Sequence, residues 1–93
     1  MKVMDRTQKV YVCIHVYEHK HPVKLVVHED GDWMFLCGEL HDDNPDNYKA
    51  IGVGHLLDWD PSLSEVLDLE NNYEAERTGI NSKWMRTNLL SSN

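Results

Sequence analysis

Two cysteines and six histidines are the residues of this 93-residue chain best suited to chemistry. Cys13-x-His15 sets a thiol and an imidazole two positions apart. On a strand they share one face, about 6–7 Å apart by the rise per residue. Cys37-x-x-x-His41 supplies a second such pair. If the two pairs converge, a Cys2His2 ligand set for zinc becomes geometrically possible. The spacing matches no standard zinc finger or knuckle, and a free Cys commonly packs as a small hydrophobe. The expectation is therefore a chain with no bound metal and no cofactor. A Cys13–Cys37 disulfide is disfavoured in a reducing cytoplasm. A Cys13–His15 nucleophile pair has no orienting acid or oxyanion hole that the sequence reveals. No catalytic residue is assigned, and the chain is read as a non-enzyme.

Other motifs fail at identifiable positions. Asp42, Asn44 and Asp46 imitate the opening of a calcium loop, but Asn47 stands at the sharp-turn glycine position and Val53 at the bidentate glutamate position. Asx turns account for the segment better. Gly52-Val53-Gly54 has Leu57 where a dinucleotide fingerprint needs its third glycine, and no parallel βαβ unit surrounds it. Six histidines invite a reading as a pH switch, because imidazole is the side chain suited to one, though scattered histidines are usually surface residues.

The charge is unevenly placed. Sixteen acidic residues against nine Lys and Arg give a formal net charge of −7. Residues 29–48 hold Glu29, Asp30, Asp32, Glu39, Asp42, Asp43 and Asp46 and no Lys or Arg, so this segment carries the whole excess. Such a field repels phosphate backbones, which argues against nucleic acid, and attracts a basic protein surface or a cation. A solvated acidic loop that aids solubility is the plainer reading. No apolar run approaches the roughly eighteen residues of a membrane span, and the first ten residues lack the apolar stretch of a signal peptide. The expected setting is the cytoplasm, without membrane association.

These residues must be positioned by a small single domain. Residues 1–8 are expected to form a flexible arm, 9–87 one α+β domain and 88–93 a tail. From Lys9 to Tyr17 apolar side chains alternate, with Val10, Val12, Ile14 and Val16 on one side, which predicts a half-buried strand. A second strand follows from Val23 to His28. Asp30-Gly31 supplies the positive φ values of a tight hairpin turn. Trp33 to Cys37 is apolar on both faces and reads as a central strand covered on both sides, ended by Gly38. A short strand from Lys49 to Gly54 and a helical turn at His55–Trp59 are expected. Asp60-Pro61 is a helix start, with Ser62 and Glu65 as a competing capping box. Leu63, Val66 and Leu67 share that helix's inner face. Tyr73–Arg77 and Ser82–Thr87 read as a closing hairpin with Trp84 pinned to the core. The expected class is α+β, a mainly antiparallel sheet with one or two short helices.

Four segments together resemble one family. They are Gly31-Asp32-Trp33-Met34-Phe35-Leu36-Cys37-Gly38, Asp43-Asn44-Pro45-Asp46-Asn47, Asp60-Pro61-Ser62-Leu63 and Glu74-Ala75-Glu76-Arg77. Their order and spacing resemble the small bacterial immunity-protein-like domains of unknown function, over roughly residues 10–87. That family pairs a Gly-Trp-x-Phe-x-x-Gly hairpin with an acidic Asp/Asn-rich loop, an Asp-Pro-Ser helix start and a closing Glu-Arg strand. The chain departs from the pattern at Asp32, at Cys13, His15 and Cys37, at the His19–His21 cluster and at Asn71-Asn72. The resemblance implies a non-catalytic neutraliser of a bacterial toxin.

The first functional reading is thus a cytoplasmic acidic binding module for a basic protein, most concretely a toxin. Asp42, Asp43 and Asp46 would supply charge and Trp59 an aromatic anchor, unless Trp59 is core. The alternative is a small zinc-binding protein using Cys13, His15, Cys37 and His41.

Overall fold

The computed structural model describes residues 5–38 and 47–89. Among the described residues six strands form one sheet, in the order β4-β1-β3-β2-β5-β6. They are β1 (Lys9–Cys13), β2 (Leu25–Glu29), β3 (Asp32–Leu36), β4 (Tyr48–Gly52), β5 (Tyr73–Glu76) and β6 (Met85–Asn88). Every pairing is antiparallel except β1 with β3, which run parallel. Two short α-helices, α1 (Ile14–Tyr17) and α2 (Val53–Trp59), and a 3-10 helix (Pro61–Val66) complete an α+β domain.

Alternation in the strands becomes one continuous apolar row. Val12 pairs with Phe35, Phe35 with Val26, and Val26 with Ala75. All four side chains are fully buried. The row crosses four adjacent strands, so each side chain is packed by its neighbours across the ladder as well as from above. Leu56 of α2 and Leu63 and Val66 of the 3-10 helix join the same core, together with Leu67 and Leu69 beyond it. Burial of Val, Leu and Phe side chains here contributes about 1.5–3 kcal/mol each.

The β2–β3 hairpin turns on Asp30 and Gly31, with φ of 53° and 82°. Positive φ at both central residues is the turn whose twist matches the flanking strands, as Asp-Gly predicts. The side-chain carbonyl of Asn71 accepts the Gly31 N–H at 2.9 Å and ties this turn to the loop before β5. Asn72, in the Asn71-Asn72 pair that departs from the family pattern, adopts φ 67°, a conformation that Asn tolerates better than most residues. β3 is interior to the sheet. Trp33, Phe35 and Cys37 form its buried face, whereas Met34 and Leu36 are only half-buried, so the second face is partly rather than fully covered.

Two expectations about local structure are corrected. The long strand from Lys9 to Tyr17 stops at Cys13, and Ile14–Tyr17 turns into a helix. The ladders explain this: β4 pairs with β1 only as far as Cys13 opposite Tyr48, and β3 pairs only through Val12 opposite Phe35. Beyond those points an extended backbone would lose its ladder partners. The chain instead satisfies itself locally, with Glu18 N–H donating to Ile14 C=O at 2.9 Å and Lys20 N–H to His15 C=O at 2.9 Å. The capping box between Ser62 and Glu65 does not begin the second helical segment. Asp60 does, accepting from Ser62 N–H at 3.1 Å, while Ser62 Oγ donates to the same carboxylate at 2.6 Å. Pro61 then occupies a first-turn position where its missing N–H costs no bond.

Candidate functional site

The parallel pairing of β1 and β3 brings the C-terminal ends of both strands to one end of the sheet. Cys13 is the last residue of β1, and Cys37 follows the last residue of β3. Both are free thiols and fully buried. The turn of α1 then carries His15 back toward them. Its Nδ1 lies 3.6 Å from Cys37 Sγ. The donor atoms of Cys13, His15 and Cys37 all lie within 4.8 Å of one another. Three of the four residues singled out for a metal reading are therefore together, although His15 arrives from a helical turn and not from a shared strand face. His41 lies outside the described residues. The group can act as an S–H···N hydrogen-bonded cluster or as a set of soft metal donors.

Beside this group opens a cleft of about 500 Å³. His19, His21, Trp59, Asp60 and Ile80 lie on its walls, with Val16 and Leu56 among the apolar lining. His21 links the two features: it lines the cleft, and its ring meets that of His15 edge-on with centroids 5.2 Å apart. Trp59 is 41% exposed, so it belongs to the surface of the cleft and not to the core. Its ring packs edge-on against His19 at 4.2 Å. The sequence pattern singled out Trp59, and it marked His19 and His21 only as a cluster that departs from the family pattern. Pro22, which follows the cluster, was the available signal that the segment must turn.

The far wall of the cleft is held by Arg77. Its side chain is 1% exposed and makes four hydrogen bonds. Nε donates to Val23 C=O at 3.0 Å, Nη1 to Ser62 Oγ at 2.9 Å and Ile80 C=O at 3.1 Å, and Nη2 to Asp60 Oδ2 at 2.7 Å. The guanidinium also sits 4.3 Å from the centre of the Trp84 ring, a cation–π contact. Burial works against the charge on Asp60, but the hydrogen bonds from Ser62 and Arg77 outweigh it and hold its carboxyl below the usual 3.8. Arg77 was legible only as part of a closing strand. Period-two alternation does place it on the face of Ala75, which is fully buried.

The acidic residues Asp42, Asp43 and Asp46 lie outside the described residues. Glu29, Asp30 and Asp32, from the same charged segment, are exposed around the β2–β3 turn.

A small α+β domain with an open, aromatic-walled cleft and an acidic segment is suited to binding another molecule. The chain matches the Imm33-like domain over residues 1–84 and belongs to that immunity-protein-like family. No curated protein and no solved structure gives a significant match.

Proposed function

We propose that this protein is an immunity-type protein that neutralises a bacterial toxin by binding it in the cytoplasm, without catalysis. Membership of the immunity-protein-like family carries this reading. Asp42, Asp43 and Asp46 supply negative charge complementary to a basic toxin surface, and acidic side chains can occupy a basic active site by matching the charge of its substrate. Trp59 supplies the aromatic anchor. Its exposure beside a cleft of about 500 Å³ supports that role, because an aromatic ring at a concave surface offers both apolar area and a pocket edge.

The test separates binding from folding. Changing Asp42, Asp43 and Asp46 together to Asn should leave the melting temperature unchanged or slightly raised, since like charges are removed. It should slow association with a basic toxin and flatten the salt dependence of the rate, because exposed charges act by steering and are screened over about 8–10 Å at physiological salt. Association measured at two salt concentrations decides the matter. A triple variant that binds as fast as the parent at low salt removes the loop from the interface. Attention would then move to the exposed residues Ser64 and Glu65 of the 3-10 helix and Asp68 just beyond it.

A further inference from the structure

We propose that Cys13, His15 and Cys37 form a binding site for a thiophilic divalent metal, with zinc the best-fitting class. This departs from the metal-free chain expected from spacing alone, and it stands independently of the toxin-binding reading. Spacing is a weak guide here because the three residues are assembled by tertiary structure. Parallel pairing of β1 and β3 aligns the two cysteines, and the end of the β1 ladder forces the turn that delivers the histidine.

Three observations support a metal. First, the donors are two thiols and an imidazole, a set that favours zinc over hard cations. Second, their separation suits the ion. With Zn–S near 2.3 Å and Zn–N near 2.0–2.1 Å, the S···N edge of a tetrahedron is about 3.5 Å. The observed Cys37 Sγ to His15 Nδ1 distance matches this at 3.6 Å; the three donor atoms lie within 4.8 Å of one another, so the remaining edges must shorten toward about 3.5–3.8 Å when the ion binds. Third, the charge balances. Binding breaks two S–H bonds, releases two protons to solvent and leaves a dication held by two thiolates and a neutral imidazole. The site then has no net charge, which suits two fully buried cysteines. With three protein donors among the described residues, a water completes the tetrahedron.

The experiment uses the full chain, reduced and stripped of metal, titrated with cobalt(II) and then zinc(II). One cobalt per chain should bind with thiolate-to-cobalt charge-transfer absorption and d–d bands of tetrahedral intensity. Zinc should displace it, and two protons should be released per ion. Cys13→Ser, Cys37→Ser and His15→Ala should each weaken zinc binding at least about 100-fold, since even outer-shell partners are worth 10–100-fold. His55→Ala, at an exposed position on α2, should leave it unchanged. Because buried cysteine variants can lose their fold, the parent protein provides a second readout. Zinc should protect both thiols from alkylation. Absence of a stoichiometric cobalt band in the reduced parent overturns the site, as does its persistence in either folded cysteine variant or equal alkylation with and without zinc.

Discussion

Arg77–Asp60 and Arg86–Asp68 join the same two residue types at nearly the same distance, 2.7 and 2.8 Å. Their surroundings differ. In the first pair the arginine is 1% and the aspartate 18% exposed; in the second the values are 39% and 43%. Arg77 also bonds two backbone carbonyls and a serine and packs on Trp84. Among the described residues Arg86 adds the carbonyl of Glu65, at 2.9 Å. Distance therefore says little about what an ion pair does. The buried pair locks the strand end at β5 to the start of the 3-10 helix, and removing one member strands the other's charge. The surface pair remains solvated when broken.

The sharpest test of that contrast is Arg77→Ala. It leaves the Asp60 carboxylate without its cation and removes donors from the carbonyls of Val23 and Ile80. The expected cost is about 3–5 kcal/mol, read by denaturant unfolding. A cost below about 1 kcal/mol would mean that burial adds nothing to this pair. Trp33→Ala supplies the apolar yardstick. Trp33 is 7% exposed and lies between the rings of His28, at 3.9 Å, and Phe35, at 6.1 Å. Its loss should also cost about 3–5 kcal/mol through lost burial and a cavity. Against a total near 5–15 kcal/mol that leaves the domain marginal or unfolded. An unchanged melting temperature would refute the packing described for β3.

Asp60→Asn sharpens the comparison by keeping the shape and removing the charge. Hydrogen bonds to charged groups contribute about 1.5–3 kcal/mol, and the variant should lose that much at neutral pH. The pH dependence has a defined sign. The Asp60 carboxyl titrates below the usual 3.8 when folded, so the unfolded chain takes up its proton first as pH falls. The stabilisation is complete above the unfolded value and is lost as pH drops below 3.8 through the folded value. The acid limb of the parent's stability curve should therefore be steeper than that of the variant, and parallel limbs would contradict the assignment. The smallest effect belongs to Arg86→Ala. The Arg86 hydrogen bond lowers the Asp68 carboxyl below its usual range, yet solvent screens the pair. The expected change is under about 1 kcal/mol and should shrink further in high salt.

Much of the scaffold was legible because it depends on neighbours in sequence. The Asp30-Gly31 turn, the Asp60-Pro61 start, the apolar face of Leu63, Val66 and Leu67 and the closing hairpin each rest on a few adjacent residues. The candidate site was legible as residue types and not as geometry. Cys13, His15 and Cys37 stood out chemically, and Trp59 as an aromatic of undecided exposure. The cleft formed with His19 and His21 was not foreseen, nor was the buried role of Arg77.

The sequence by itself determined the α+β class, the turn chemistry and the location of the excess charge, because dihedral preferences, period-two burial and formal charge are properties of short segments. Tertiary structure decided where β1 ends, since only the lengths of its partners β3 and β4 tell the backbone when its ladder runs out. It also decided that Cys13 and Cys37 meet. Twenty-four positions separate them in the chain, and only the parallel pairing of β1 with β3 puts both strand ends on the same side. The Arg77–Asp60 pair follows the same rule. Each residue is ordinary in its own segment, and their pairing exists only once the chain just after β5 meets the start of the 3-10 helix.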